Sequence, residues 1–148
     1  MWRELFGLTS AAALVAWALL ILGPRRWLPG IRYAGVGLLC AVYVALVATA
    51  LAGGFGPRAG PAPDFTTIEG VRAIFASDGG VVAGWTHYLA FDLFAGAWIA
   101  EHADRRGLNR MVQAPVLLLT FLAGPAGLLL YLLVSLSRRG RGTARPPR

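Results

Sequence analysis

Four long apolar runs constrain this chain more than any other feature: Leu5–Leu22, Tyr33–Leu51, Val81–Ala100 and Met111–Leu136. About 20 apolar residues in a helix cross the ~30 Å hydrocarbon core of a bilayer, and each run approaches or exceeds that length. Composition agrees. The chain is 57% hydrophobic and 14% charged, with mean hydropathy +0.61, whereas soluble domains sit nearer ~25% charged. Little is left over for a water-soluble domain. The expectation is an all-α polytopic membrane protein, a four-transmembrane-helix bundle over residues 1–136. A basic tail, 137–148, follows and is expected to be disordered.

The boundaries have physical markers. The first run stops at Gly23-Pro24, where proline restricts the residue before it. Its length exceeds the apolar region of a signal peptide, so it reads as a retained first helix. The second run frays into Gly53-Gly54-Phe55-Gly56. Pro57, Pro61 and Pro63 then make the long connection irregular. Thr66-Thr67-Ile68-Glu69 matches a capping box, and Ile68, Val71 and Phe75 follow at helical spacing. That spacing predicts a short interfacial helix over Thr66–Ser77, between helices two and three, with Ser77-Asp78-Gly79-Gly80 ending it. Helix three is expected over Val81–Ala100, with Glu101 to Gly107 returning to water. Helix four carries Gly124-Pro125-Ala126-Gly127 near its middle, and Pro125 predicts a bend there.

All 14 basic residues are arginine and the formal charge is +7. The arginines lie between the apolar runs and in the tail, where membrane proteins keep positive charge beside acidic lipid. Nucleic acid is therefore not an expected partner; membrane lipid is. With four crossings, the side holding both termini and the middle loop (56–80) carries eight arginines against six, which predicts cytoplasmic termini. The single cysteine, Cys40, sits inside an apolar run and reads as a small hydrophobe.

Chemistry concentrates in helix three. Asp92 lies near mid-span, where a charge costs at least ~2.5 kcal/mol on insertion scales, so it should face the bundle interior. It shares a helix face with Trp85 and Tyr88, and the Tyr88 hydroxyl is placed to donate to it. His87 is five residues away, ~140° round the helix and ~7.5 Å along it, so the two do not stack on one face. Candidate catalytic residues are Asp92, His87 and Tyr88. Candidate substrate-binding residues are Trp85 and Phe91, as aromatic walls, with Gly124 and Pro125 at the bend. The plainer readings are an interfacial histidine, an aspartate bonding a neighbouring helix, and aromatics in packing or lipid contact.

Inventory excludes several classes. His87 and His102 are 15 residues apart on one helix, ~22 Å of rise, too far for bis-histidine haem. Two histidines are too few for a histidine-rich di-iron site. There is no P-loop, Gly-x-Ser-x-Gly elbow or His-Glu-x-x-His motif. An enzyme of this sequence would use carboxylate, imidazole and phenol, with no metal and no cofactor expected.

The run GWTHYLAFDLFAGAWI (84–99) and the later TFLAGPAGLLLYLL (120–133) resemble the abscisic-acid-deficient-four-like family, and Glu69 to Gly80 fits the same layout. Plant members of that family are associated with neoxanthin synthesis and act on epoxy-carotenoids. The resemblance implies a four-span plan, with His87 and Asp92 as the polar positions carried over, in a bacterial relative located in the inner membrane. It implies a membrane enzyme or accessory protein acting on a carotenoid or other isoprenoid. Epoxide opening needs acid at oxygen and base at carbon, which suits two separated titratable groups. The alternatives are a non-catalytic accessory or assembly protein for a membrane partner, and a small transporter, either of them compatible with a homo-oligomer.

Overall fold

The computed structural model describes residues 1–56 and 62–142, with side chains through Ser137. Pro57, Pro61 and the end of the predicted tail lie outside the described residues. All regular structure among the described residues is helical, in six helices: α1 (Trp2–Leu22), α2 (Arg25–Leu51), α3 (Ile68–Ile74), α4 (Asp78–Arg105), α5 (Arg110–Leu122) and α6 (Gly124–Gly142). Two of them, α1 and α2, are long and apolar enough to cross a membrane by length and composition.

α1 ends where expected. Gly23 donates its N–H to the Leu19 carbonyl (2.9 Å) and then turns extended before Pro24. α2 starts at Arg25, eight residues before the predicted boundary. Pro29 falls in its first turns, where a missing N–H is harmless, and Arg25 reaches back to the Leu20 carbonyl (3.1 Å).

The middle segment is capped one residue later than the capping box predicts. Thr67, not Thr66, accepts the Gly70 N–H (3.0 Å), and Asp64 accepts from the N–H groups of Thr66 (2.7 Å) and Thr67 (2.9 Å). Val71 and Phe75 are half-exposed and turn toward α2 and α4, while Ile68 is largely exposed. The backbone N–H bonds from Thr66 and Thr67 hold the Asp64 carboxyl below the usual carboxylate range. A lowered folded pKa means the cap is fully present above ~3.9, the ordinary aspartate value. It is lost as pH falls through the lowered value. Protection of the Thr66, Thr67 and Gly70 amides, taken relative to their intrinsic exchange rates, should therefore hold from pH 7 to pH 5 and fall only below pH 4. A fall in protection between pH 7 and pH 5 would remove Asp64 from the cap.

Ser77-Asp78-Gly79-Gly80 opens α4 rather than closing α3. Ser77 Oγ accepts the Gly80 N–H (3.1 Å), so the helix begins three residues before the apolar run. At its other end α4 continues five residues past Ala100. It stops at a left-handed Gly107 (φ 64°), with Leu108 N–H bonded to the Ala103 carbonyl (3.0 Å) and Gly107 N–H to that of Asp104 (2.9 Å). This double bond pattern satisfies the last free carbonyls of the helix.

α4 is the central helix and packs against α1, α2, α5 and α6. Its small residues permit the approach: a Cβ on Gly96 would run into the Trp17 indole, and Ala97, Ala100 and Ala103 are fully buried. Small side chains at such contacts are a common means of helix association in membranes. Direction along α4 follows from the contacts. Trp85 meets Ser10 and Arg25 meets Asp104, so α1 runs parallel to α4; Arg32 pairs with Glu101 and Tyr43 packs on His87, so α2 runs antiparallel.

The predicted fourth span is corrected. Residues 111–136 do not form one bent helix; Ala123 leaves helical geometry (φ −153°, ψ 74°), and α6 folds back along α5. A Cβ on Gly127 would collide with the Thr120 backbone, although seven residues separate the two. In a continuous helix they would stand ~10 Å apart. Gly124 lies against Asp92, Tyr131 bonds His102, and Arg106 donates to the Ser135 carbonyl (3.2 Å), so α6 runs parallel to α4. α5 and α6 are thus a hairpin whose tip reaches the middle of α4. The expected placement of both termini at one end is corrected with it: Met1 and Ser137 lie at opposite ends of the bundle. α6 itself extends helically to Gly142, into the segment expected to be disordered.

Polar side chains tie together the end holding the α1–α2 turn and the α4–α5 connection. Arg25 Nε stands 2.8 Å from Asp104 Oδ2, an ion pair set off the N–H axis, and Arg25 also donates to Gln113 Oε1. Gln113 Nε2 donates to Asp104 Oδ1 and to the Leu108 carbonyl (2.8 Å each). Arg32 and Arg105 (3.0 Å) both pair with Glu101, and Arg110 caps the carbonyls of Ile21 (3.0 Å) and Gly23 (2.8 Å). These pairings keep Glu101 to Asp104 helical where the sequence suggests a return to water.

Candidate functional site

The candidate residues separate into two groups on different faces of α4. Asp92 is 8% exposed and faces the hairpin tip. The three atoms nearest to a Cβ built on Gly124 all belong to the Asp92 carboxyl group, so a side chain at this position would have to displace it. The Tyr88 hydroxyl stands beside both the carboxyl and the Gly124 N–H. No well-formed hydrogen bond reaches Asp92 Oδ2, which is buried without a partner. A buried, unmatched oxygen is costly, and the N-terminus of α6 lends the carboxylate a favourable dipole. Pro125 is the second residue of α6. It does not bend a continuing helix; it sits in a first turn, where an N–H has no intrahelical partner anyway.

Trp85 joins this side. Its Nε1 donates to Ser10 Oγ of α1 (3.0 Å), and its ring stacks on Phe6 (5.6 Å) and Tyr88 (5.4 Å). It is held by helix packing.

His87 faces the other way, as its ~140° offset from Asp92 requires. Its ring packs on Phe91 (4.6 Å) and Tyr43 (5.3 Å) and lines a groove of about 730 Å³ between α2, α3 and α4. The volume lies within the 300–1,000 Å³ of typical small-molecule sites. Apart from His87 and Tyr43 the side chains of the wall are apolar, with Phe55, Phe65, Val71 and Phe75 prominent. Phe75 lies on the α4 backbone at Gly84, where a Cβ would strike its ring.

Sequence reasoning did not find this groove. Its signal is the pair Gly80 and Gly84, four residues apart on α4, together with three phenylalanines in residues 55–75. A second cluster was also missed: Tyr131, almost fully buried, shares a hydrogen bond with His102 Nδ1 (2.7 Å), and Trp98 stacks on that imidazole (5.0 Å).

The family model described as ABA DEFICIENT 4-like matches residues 4–131. The chain belongs to this family. The match takes in α1 from Glu4 onward, α2 to α5, the hairpin tip and both faces of α4, and it ends at Tyr131. The resemblance seen in residues 84–99 and 120–133 is therefore borne out at the level of the family. No curated protein and no solved structure matches the chain.

Proposed function

We propose that this ABA DEFICIENT 4-like protein lies in a membrane and acts on an elongated apolar ligand, a carotenoid or similar isoprenoid, held in the groove between α2, α3 and α4. The groove carries this reading: its size and aromatic, apolar wall suit a hydrocarbon chain, and His87 offers one polar contact to it. Membership of the family favours the isoprenoid class over other apolar ligands. The helix lengths of α1, α2 and α4 suit three crossings of a bilayer.

In the enzymatic form, proton transfer to the ligand belongs to His87, which with Tyr43 is one of two acid–base side chains lining the groove among the described residues. Asp92 and Tyr88, on the far face of α4, serve the hairpin tip. That separation also favours the second reading, a non-catalytic accessory protein that presents an isoprenoid to a membrane partner.

Pigment and lipid profiling of a deletion strain tests both. Complementation with the wild-type chain should restore the parental profile. Ala83→Phe, which fills the groove from α4, should not. Asp92→Asn keeps the shape of the carboxyl and should restore it. His87→Gln separates the two forms: failure to restore assigns proton transfer, and full restoration assigns binding alone. An unchanged profile in the deletion strain, or full activity of Ala83→Phe, would reject the groove as the site. Loss of function in a folded Asp92→Asn protein would return the chemistry to Asp92.

A further inference from the structure

The hairpin changes which arginines share an end of the molecule. With α1, α2 and α4 running end to end and α5–α6 returning to its own end, three segments come together: the α1–α2 turn, the α4–α5 connection and the end of α6. The Arg25–Asp104 pair and the Arg106–Ser135 bond join them. Through Gly142 those segments hold nine arginines, and two more follow in the sequence; the acids there are Glu101 and Asp104. The sequence of the opposite end, from Met1 to Glu4 and from Ala52 to Asp78, holds three arginines against Glu4, Asp64, Glu69 and Asp78. One end is strongly cationic and the other, with the Met1 amino group that pairs with Glu4, is close to neutral.

We propose that the arginine-rich end is a surface for anionic headgroups of the cytoplasmic leaflet, so that the chain crosses three times, dips in once and leaves its N-terminus on the opposite side. This rests on the membrane reading given above. Arginines close to span ends set orientation, and acids count for little. Anionic lipid and the cytoplasmic face hold such clusters within about a Debye length. The geometry fits a dip. α5 has 13 residues, ~20 Å of rise, short of the ~30 Å of hydrocarbon. The non-helical backbone at Ala123 donates its N–H to the Leu119 carbonyl (2.8 Å) and accepts from the N–H groups of Ala126 (2.9 Å) and Gly127 (3.1 Å), so its polar groups are matched within the chain, as backbone at membrane depth requires. Beyond the tip, Leu129, Leu132, Leu133 and Leu136 are exposed, as a lipid-facing return helix requires.

Single-cysteine labelling of the full chain in a bacterial host tests the orientation, in a Cys40→Ala background. An impermeant maleimide applied to intact cells should label Ala62→Cys at least tenfold more than Arg26→Cys or Ser137→Cys. Permeabilisation should bring the latter two up to the same level. Labelling of Ser137→Cys together with Ala62→Cys in intact cells would restore a fourth crossing and overturn the dip. Labelling of Arg26→Cys and Ser137→Cys without Ala62→Cys would invert the molecule and overturn the role of the arginines. A chain released from membranes by alkaline carbonate would reject the membrane reading itself, and this orientation with it.

Discussion

Gly127→Val should leave the protein unable to close its hairpin, with a melting temperature about 10 °C lower in detergent. A Cβ at this position would lie on the backbone nitrogen and Cα of Thr120. Backbone cannot rotate away as a flexible side chain can, so α6 must lift from α5 along its length. Overpacking costs about 1–3 kcal/mol in ordinary cores, and a collision with backbone belongs at the upper end. For a chain of this size each kcal/mol is worth ~2–4 °C. Lifting α6 also draws Tyr131 away from His102, so tryptophan fluorescence from Trp98 should change with it. Gly37→Ala is the matched control: a Cβ there meets nothing within 4 Å, and alanine favours the helix interior by up to ~1 kcal/mol. Equal melting temperatures for the two variants would mean that α5 and α6 do not pack as a hairpin.

The hairpin was the part of the fold hardest to read from sequence. Residues 111–136 are apolar throughout and long enough to span, and length is the signal that marks a membrane helix. Gly124-Pro125 serves equally as a kink inside a span or as a turn between two half-spans; local propensity does not distinguish them. What decides is tertiary: Thr120 needs a partner without a side chain seven residues on, and the Asp92 carboxyl fills the space a side chain at Gly124 would occupy. Elements defined by local chemistry were more legible. Gly23-Pro24 stopped α1 as expected, and the angular offset placed His87 and Asp92 on different faces. The shifted cap at Thr67 has an equally local cause, since Asp64 draws the chain round by accepting from Thr66 and Thr67 together. The ends of α4 were drawn too short because charged residues read as exit from the membrane, whereas Glu101 and Asp104 are held by arginines distant in sequence.

The contact between Asp92 and Gly124 makes a sharper claim, that one carboxyl group seats the hairpin tip. Gly124→Ala should cost about 2 kcal/mol, because the added methyl would overlap the carboxyl of a side chain that is only 8% exposed. Asp92→Ala alone should cost less than about 1 kcal/mol. It loses packing and the attraction to the α6 N-terminus, but it also removes the unpartnered Oδ2, whose burial is unfavourable. In the double variant the new methyl occupies the space the carboxyl has vacated. The cost of Gly124→Ala should then nearly vanish, giving a coupling of about 2 kcal/mol between positions 32 residues apart in sequence, in the range known for residues in direct contact. Thr67→Ala supplies the control. It removes the cap of α3 and is not among the atoms that a Cβ at Gly124 would meet, so its effect should add to that of Gly124→Ala within about 0.5 kcal/mol. Melting curves of the four proteins of the cycle measure this directly. Additive costs for the Asp92 and Gly124 substitutions would detach the tip from α4. Asp92 would then be a buried carboxylate facing some other group, and its unpaired oxygen would again call for a ligand of its own.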